Sequence, residues 1–199
     1  SWLVRKPHVW HLHESGHHMG LKYDFGERRT VRLINYFSTL IIVVSNSLRN
    51  VYSSHIESDK MRLVYQSVTV NSGIKGTYDL KCDKQIFQCV IVASLHPYKG
   101  QDEAIAALSE LIRRGIKVHL LIIGDGWNSF RALLHQQIAN LDLEQHVKFT
   151  GYIKNPMQYI QAADAVLVCS HWEGFGRVTV EAMLAGRPVV GTAKGATTE

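Results

Sequence analysis

Two short stretches of this 199-residue sequence carry side chains whose types and spacing could do chemistry. The first, HLHESGHHMG at residues 11–20, contains His13-Glu14-Ser15-Gly16-His17 and so spells H-E-x-x-H. That pattern holds zinc when both histidines lie on one helical face, four residues apart, with the glutamate beside a metal-bound water. Here the residues before His13 alternate like a strand, and Ser15-Gly16 is poor helix. Tyr23 stands where one class of zinc enzyme needs a third histidine. The stretch reads instead as a strand ending at Leu12, with His13 just beyond it and Glu14 its neighbour in the loop. His13 then either faces a ligand or caps the loop. No metal is expected.

The second stretch is Ser170-His171-Trp172-Glu173-Gly174-Phe175-Gly176, followed by a helical segment that contains Glu181. Its glycines let a ligand approach the backbone closely. A helix start aims free N–H groups and the positive end of its dipole at that ligand, which suits a phosphate or a group of hydroxyls. Each carboxylate can accept two hydrogen bonds from vicinal hydroxyls, as a ribose or a hexose offers. The plainer alternative pairs Glu181 with Arg177, one helical turn before it. A third feature, Gly124-Asp125-Gly126, has two glycines of a dinucleotide loop, but Ser129 occupies the place of the third, and a lone G-x-G is weak.

The elements that must position these residues alternate between strand and helix. Strands are expected at 8–12, 40–44, 62–65, 87–95, 118–123, 147–149, 165–169 and 189–190. Helices are expected at 27–37, from a cap at Ser45 or Ser47 through Tyr52, and at 102–114, 129–141, 156–162 and 177–185. Val31, Ile34 and Phe37 should share one helical face, Ser45 and Ser47 offer caps, and Leu40 to Val44 lacks alternation, as in a strand buried on both faces. The polar, glycine-containing stretch 71–85 reads as a linker, which divides the chain into a partial first domain (1–70) and a second domain (86–199). Strands separated by helices imply parallel sheets covered on both faces, with ligands at the carboxyl ends of the strands.

Composition narrows the class. A hydrophobic content of 46% with 20% charged residues is that of an ordinary globular protein and argues against disorder and low complexity. The net charge of +5 suits phosphate-bearing ligands or an anionic membrane surface. Scattered Lys and Arg with no basic run argue against nucleic acid. Cys82, Cys89 and Cys169 form no C-x-x-C pair and read as thiols in a reducing compartment. No apolar run reaches the ~20 residues that span a bilayer.

Glu173 to Gly191, EGFGRVTVEAMLAGRPVVG, resembles the E-x7-E segment of family 4 retaining glycosyltransferases, which have the GT-B fold. Other segments agree in order: Val92 to Gly100 with a strand-and-KG loop, Leu121 to Gly126 with I-x-G-D-G, Val147 to Tyr152 with V-x-F-x-G, and Gly195 to Glu199 with G-G-x-x-E. The resemblance is strong over about 85–199 and looser before. It implies a GT-B-like α/β fold of doubly wound parallel sheets. It also implies a hexosyltransferase taking sugar from a nucleotide diphosphate sugar to a polysaccharide or lipid-linked acceptor, with retention.

By position, the resemblance places Glu173 at the donor sugar, with the backbone of Gly174, Phe175 and Gly176 near its hydroxyls and diphosphate, and Glu181 at the ribose. Lys99 would neutralise the leaving diphosphate, and Gly151, Tyr152 and Ile153 would lie against the base, with Gly124 and Ser94 also lining the donor site. His13 would contact the sugar or diphosphate, and His17 and His18 would lie near the acceptor. No cofactor or metal is implied. Ser94 stands where the family has a diphosphate-binding Arg; Arg177 is the candidate substitute, and Ala196 replaces a glycine. The chain is expected to be a piece of a longer protein, lacking the early half of the first domain and the final helices, and such a piece need not be active alone. Cytoplasmic placement, with peripheral contact at the inner membrane face, fits the charge. A non-catalytic nucleotide-sugar-binding fragment and a sugar-nucleotide epimerase of the same architecture are the alternatives.

Overall fold

The computed structural model describes residues 6–15, 26–69 and 85–199. The chain divides into two compact units. The first comprises residues 1–67 with Trp172–Gly176 and Ala193–Glu199; the second comprises Val68–His171 and Arg177–Thr192. The segments 172–176 and 193–199, which sequence position alone assigns to the second domain, thus group with the first.

The first unit is built from β1 (Val9–Leu12), α1 (Glu27–Phe37), β2 (Leu40–Val43), α2 (Asn46–Tyr52) and β3 (Met61–Leu63). Its strands pair in parallel in the order β1-β2-β3. Ile41 and Val43 point into a cluster with Val31, Leu48, Tyr52, Ile56 and Met61. Ser45 caps α2: its side chain accepts from the Leu48 N–H at 3.0 Å, a bond of the kind whose loss costs about 0.5–2 kcal/mol. Ser47 lies inside the helix.

Two expectations need correction here. Phe37 is 42% exposed. Steps of three residues each fall about 60° short of a full helical turn, so two steps from Val31 carry Phe37 off the buried stripe. β2 alternates half-buried and buried positions, so among the described residues only the Ile41–Val43 face is fully covered.

The second unit contains β4 (Phe87–Val92), α3 (Gln101–Arg113), β5 (Val118–Ile123), α4 (Asn128–Asn140), β6 (Val147–Gly151), α5 (Met157–Ala162), β7 (Ala165–Val168), α6 (Arg177–Leu184) and β8 (Val189–Gly191). The five strands are parallel in the order β6-β5-β4-β7-β8. Successive residues of β4 and β5 face opposite ways, and both faces are dry. Ile91, Leu120 and Ile122 pack with Ile105, Leu108, Leu134 and Ile138 of α3 and α4. Val90, Leu121 and Ile123 form the other face with Ala163 and Tyr159. Val166 and Val168 meet Ile160 and Ala182, from α5 and α6. This double burial explains why Cys89–Val92, Leu120–Ile123 and Ala165–Val168 read as unbroken apolar runs.

The chain leaves β4 on one side to build β5 and β6, then returns on the other to build β7 and β8. The order therefore reverses between β4 and β7, and the crevice for a ligand in such sheets lies outside the carboxyl ends at that point. Pro97–Lys99 and Gly195–Thr198 form short 3-10 turns that periodicity does not predict.

Candidate active site

At the reversal in the second unit, the loops after β4 and β7 are fastened together. Gly100 adopts a left-handed backbone (φ 65°), and a side chain there would run into the Cys169 carbonyl. The His171 N–H donates to the Tyr98 carbonyl at 2.8 Å, and His171 Nε2 lies 3.1 Å from Glu103. Lys99 is half-buried in this loop and Ser94 is exposed, its carbonyl accepting from Gln101 Nε2 at 2.8 Å.

The ends of β5 and β6 adjoin them. Gly124 packs so closely on the Ala93 carbonyl that only glycine fits, and its N–H donates to the Gly151 carbonyl at 2.9 Å. Tyr152 is 74% exposed, whereas Ile153 packs into the apolar face beside Val92 and Tyr159. Ser94, Lys99, Gly124 and Gly151–Ile153 therefore share the carboxyl edge of one sheet. Asp125 is engaged by the Gly126 N–H at 2.6 Å and by Arg131.

Glu181 lies on the second turn of α6, its side chain 18% exposed, with Arg177 at 3.6 Å. The Arg177 pairing weighed from spacing is thus present. Burial pushes the carboxyl above the usual range, and Arg177 pulls it back only in part.

In the first unit, His13 and Glu14 lie just past β1, not on a helix. Gly174 packs against the His13 carbonyl, with space for no Cβ. Trp172 and Phe175 pack onto the core of the unit, and the Phe175 ring lies 6.2 Å from that of Tyr65. The Glu173 carbonyl accepts from the Ala196 N–H at 2.9 Å, which ties the loop 172–176 to the segment 193–199. Glu199 completes the tie: its carboxylate accepts from the N–H groups of Asn46 (3.0 Å) and Ser47 (2.5 Å) at the start of α2, and from the Tyr65 hydroxyl (3.2 Å). His13, Glu14, Glu173, Gly174, Phe175 and Gly176 thereby belong to one assembly. His17 and His18, and Cys82, lie outside the described residues.

Sequence reasoning passed over Gln66, which touches His13, and Glu199 as the anchor of the last segment. It also passed over the aromatic cluster of His96, Tyr98 and Trp127 at the ends of β4 and β5. For Gln66, the available signal was its place just past a strand end, the same signal that singled out His13. Among the described residues, no three His, Cys, Asp or Glu side chains are grouped to hold a metal, and no helix is long and apolar enough to cross a membrane. Cys89 and Cys169 are free thiols, and burial pushes Cys89 up to about 11.

Comparison with known proteins agrees with this architecture. N-acetyl-alpha-D-glucosaminyl L-malate synthase of Bacillus anthracis is 26% identical over 166 residues, covering 79% of this chain and 42% of that protein. An uncharacterized glycosyltransferase of Methanocaldococcus jannaschii is 27% identical over 209 residues, covering 94% of this chain and 52% of that one. The crystal structure of Anabaena Alr3699/HepE, in complex with UDP and glucose, superposes with a TM-score of 0.85 at 30% identity. It covers 100% of this chain and 56% of its own. The chain therefore spans about half the length of the relatives it matches. The fold is GT-B-like, of parallel sheets with helices. The family profile described as Glycosyl transferases group 1 matches residues 80–199, and the chain belongs to that family.

Proposed function

We propose that the protein of which this chain is part transfers a hexose from a nucleotide diphosphate sugar, of the family 4 retaining type, to a polysaccharide or lipid-linked acceptor. The observation that carries this reading is Glu181. A carboxylate held half-buried near the strand ends, with its pKa raised, is poorly satisfied by Arg177 alone and suited to a ribose diol. Lys99, from the loop at the reversal of the sheet, supplies a point charge for the diphosphate as the glycosidic bond breaks. Gly151, Tyr152 and Ile153 take the base, with Ser94 and Gly124 lining the same edge. Glu173 and the backbone of Gly174 to Gly176 hold the sugar, and His13 contacts the sugar or the diphosphate. The HepE complex with UDP and glucose supports UDP-glucose as the first donor to try. No metal or other cofactor enters this scheme. The charge of +5 supports work in the cytoplasm, against the anionic inner face of the membrane.

The test uses the full-length parent, with and without Glu181→Ala, in binding and hydrolysis assays with UDP- and GDP-sugars. Parent turnover of one donor, with binding weakened about tenfold or more in the variant, is expected for loss of hydrogen bonds to a charged group. A parent that ignores every nucleotide sugar ends the proposal, and a variant that binds as well as the parent removes the ribose assignment.

A further inference from the structure

The first bond inside α2 runs from the Arg49 N–H to the Ser45 carbonyl, which leaves the N–H groups of residues 46 to 48 without a helical partner. All three are taken. The Ser45 side chain accepts from Leu48, and the Glu199 carboxylate accepts from Asn46 at 3.0 Å and Ser47 at 2.5 Å. The same carboxylate accepts from the Tyr65 hydroxyl, just past β3, at 3.2 Å. Bonds to an ionised acceptor are the stronger kind, and a carboxylate at a helix start also meets the positive end of the dipole.

From Glu199 the hold passes back along the chain. The turn Gly195–Thr198 is closed by the Glu199 N–H on the Ala196 carbonyl (3.1 Å) and by the Thr198 hydroxyl on the Gly195 carbonyl (3.0 Å). This turn lies directly on the backbone of Glu173. Gly195 has a left-handed backbone (φ 62°), and a Cβ there would overlap the Glu173 nitrogen and carbonyl. Ala196, which is buried, donates its N–H to that carbonyl at 2.9 Å. Tyr65 closes the circuit, its ring 6.2 Å from the ring of Phe175. The loop 172–176 is therefore joined to the Glu199 anchor by two routes, one through the turn and one through Tyr65.

We propose that Glu199 is a positioning residue for sugar transfer, which fixes the loop 172–176 so that the Glu173 carboxylate meets the donor sugar in the reactive geometry. The inference rests on the reading of Glu173 as a sugar contact and deepens it. The Glu199 carboxylate is engaged within the first unit, so it acts through the turn 195–198 and through Tyr65. A displacement of about 1 Å at a reacting centre can cost about 10²-fold in rate, so release of the anchor is felt in turnover. The nucleoside is held as before, because its proposed contacts are Glu181 and Gly151 to Ile153.

The experiment compares Glu199→Ala, Glu199→Gln, Tyr65→Phe and Glu173→Ala in the full-length protein. Hydrogen exchange of the peptide covering 172–176 reads the fastening without reference to turnover. Steady-state kinetics with UDP-glucose, or with a GDP-sugar if the parent prefers it, and calorimetric titration of the matching nucleoside read its use. Glu199→Ala should speed exchange in the loop and lower kcat about 10–100-fold, with nucleoside affinity unchanged. Glu199→Gln keeps one oxygen acceptor and should fall between Glu199→Ala and the parent, so it carries the same comparison if Glu199→Ala does not fold. Tyr65→Phe keeps the ring against Phe175 and should lose less than Glu199→Ala. Parent-like exchange at 172–176 in the Glu199 variants, or nucleoside affinity lost in step with kcat, overturns the proposal. A fully active Glu199→Ala enzyme beside an inactive Glu173→Ala enzyme overturns it alone. A Glu173→Ala enzyme with the parent's turnover removes the reading of Glu173, and the proposal with it.

Discussion

The glycine at position 174 gives the sharpest test of how closely the loop 172–176 is fitted. Consider Gly174→Ala in the full-length protein. An ideal Cβ at this position would overlap the His13 carbonyl oxygen and would lie 2.9 Å from Glu14 Oε2 and 3.1 Å from its Cδ. The His13 carbonyl cannot give way, because it belongs to the backbone that leaves β1. An unstrained carbon–oxygen contact needs about 3.3–3.6 Å, so the loop must retreat by about 1 Å or more. Overpacking of this kind costs about 1–3 kcal/mol. On the proposed function that energy comes out of holding Glu173 and Phe175 in place, so kcat/KM for the nucleotide sugar should fall about 5–150-fold. Affinity for the nucleoside alone, whose proposed ribose and base contacts lie on other elements, should change little. The assay is steady-state turnover beside calorimetric titration of uridine. A Gly174→Ala enzyme with the parent's kcat/KM would refute the reasoning, since it would mean that the loop has room the backbone geometry denies.

Two further outcomes concern stability. Ile122 is fully buried near the end of β5, and Ile122→Ala should lower unfolding free energy by about 2–5 kcal/mol in a denaturant titration. Glu181 has a folded-state pKa raised by burial, so the folded protein pays for its ionised form as pH rises from the ordinary carboxylate value of about 4.3 through the raised one. Glu181→Gln should therefore melt above the parent at neutral pH, and the difference should close below about pH 4, where both side chains are neutral.

Much of the frame was legible in the sequence because both faces of the second sheet are buried. Runs such as Leu120 to Ile123 are apolar throughout, and the helices between them carry their own periodicity. The loops that hold Lys99 and Gly124, and the helix that holds Glu181, follow from those strand ends. What could not be read depends on partners far away in sequence. Glu199 reaches Asn46 across 153 residues and Gln66 reaches His13 across 53, and neither contact leaves a local pattern. Phe37 was misplaced because a stripe of three residues was extended past the point where helical drift carries it outward. The grouping of Trp172–Gly176 with the first unit follows from the packing of Trp172 and Phe175 on that unit's core, which no property of the loop itself announces.

The reversal of strand order at β4 has a consequence for the chain while it is being made. One edge of β4 is paired as soon as β5 emerges, but the other waits for β7. The two are clasped at their start, where the Gln88 N–H donates to Asp164 Oδ2 at 2.7 Å and the Asp164 N–H donates to the Gln88 carbonyl at 2.8 Å, across 76 residues. At a ribosomal rate of about 5–20 residues per second, that edge stands open for about 4–15 s. Throughout that interval the nascent strand presents Val90 and Ile91 beside unpaired N–H and C=O groups, a template on which a neighbouring chain on the same messenger can pair. The topology that opens a crevice for a ligand thus also sets the interval during which a chaperone has something to shield.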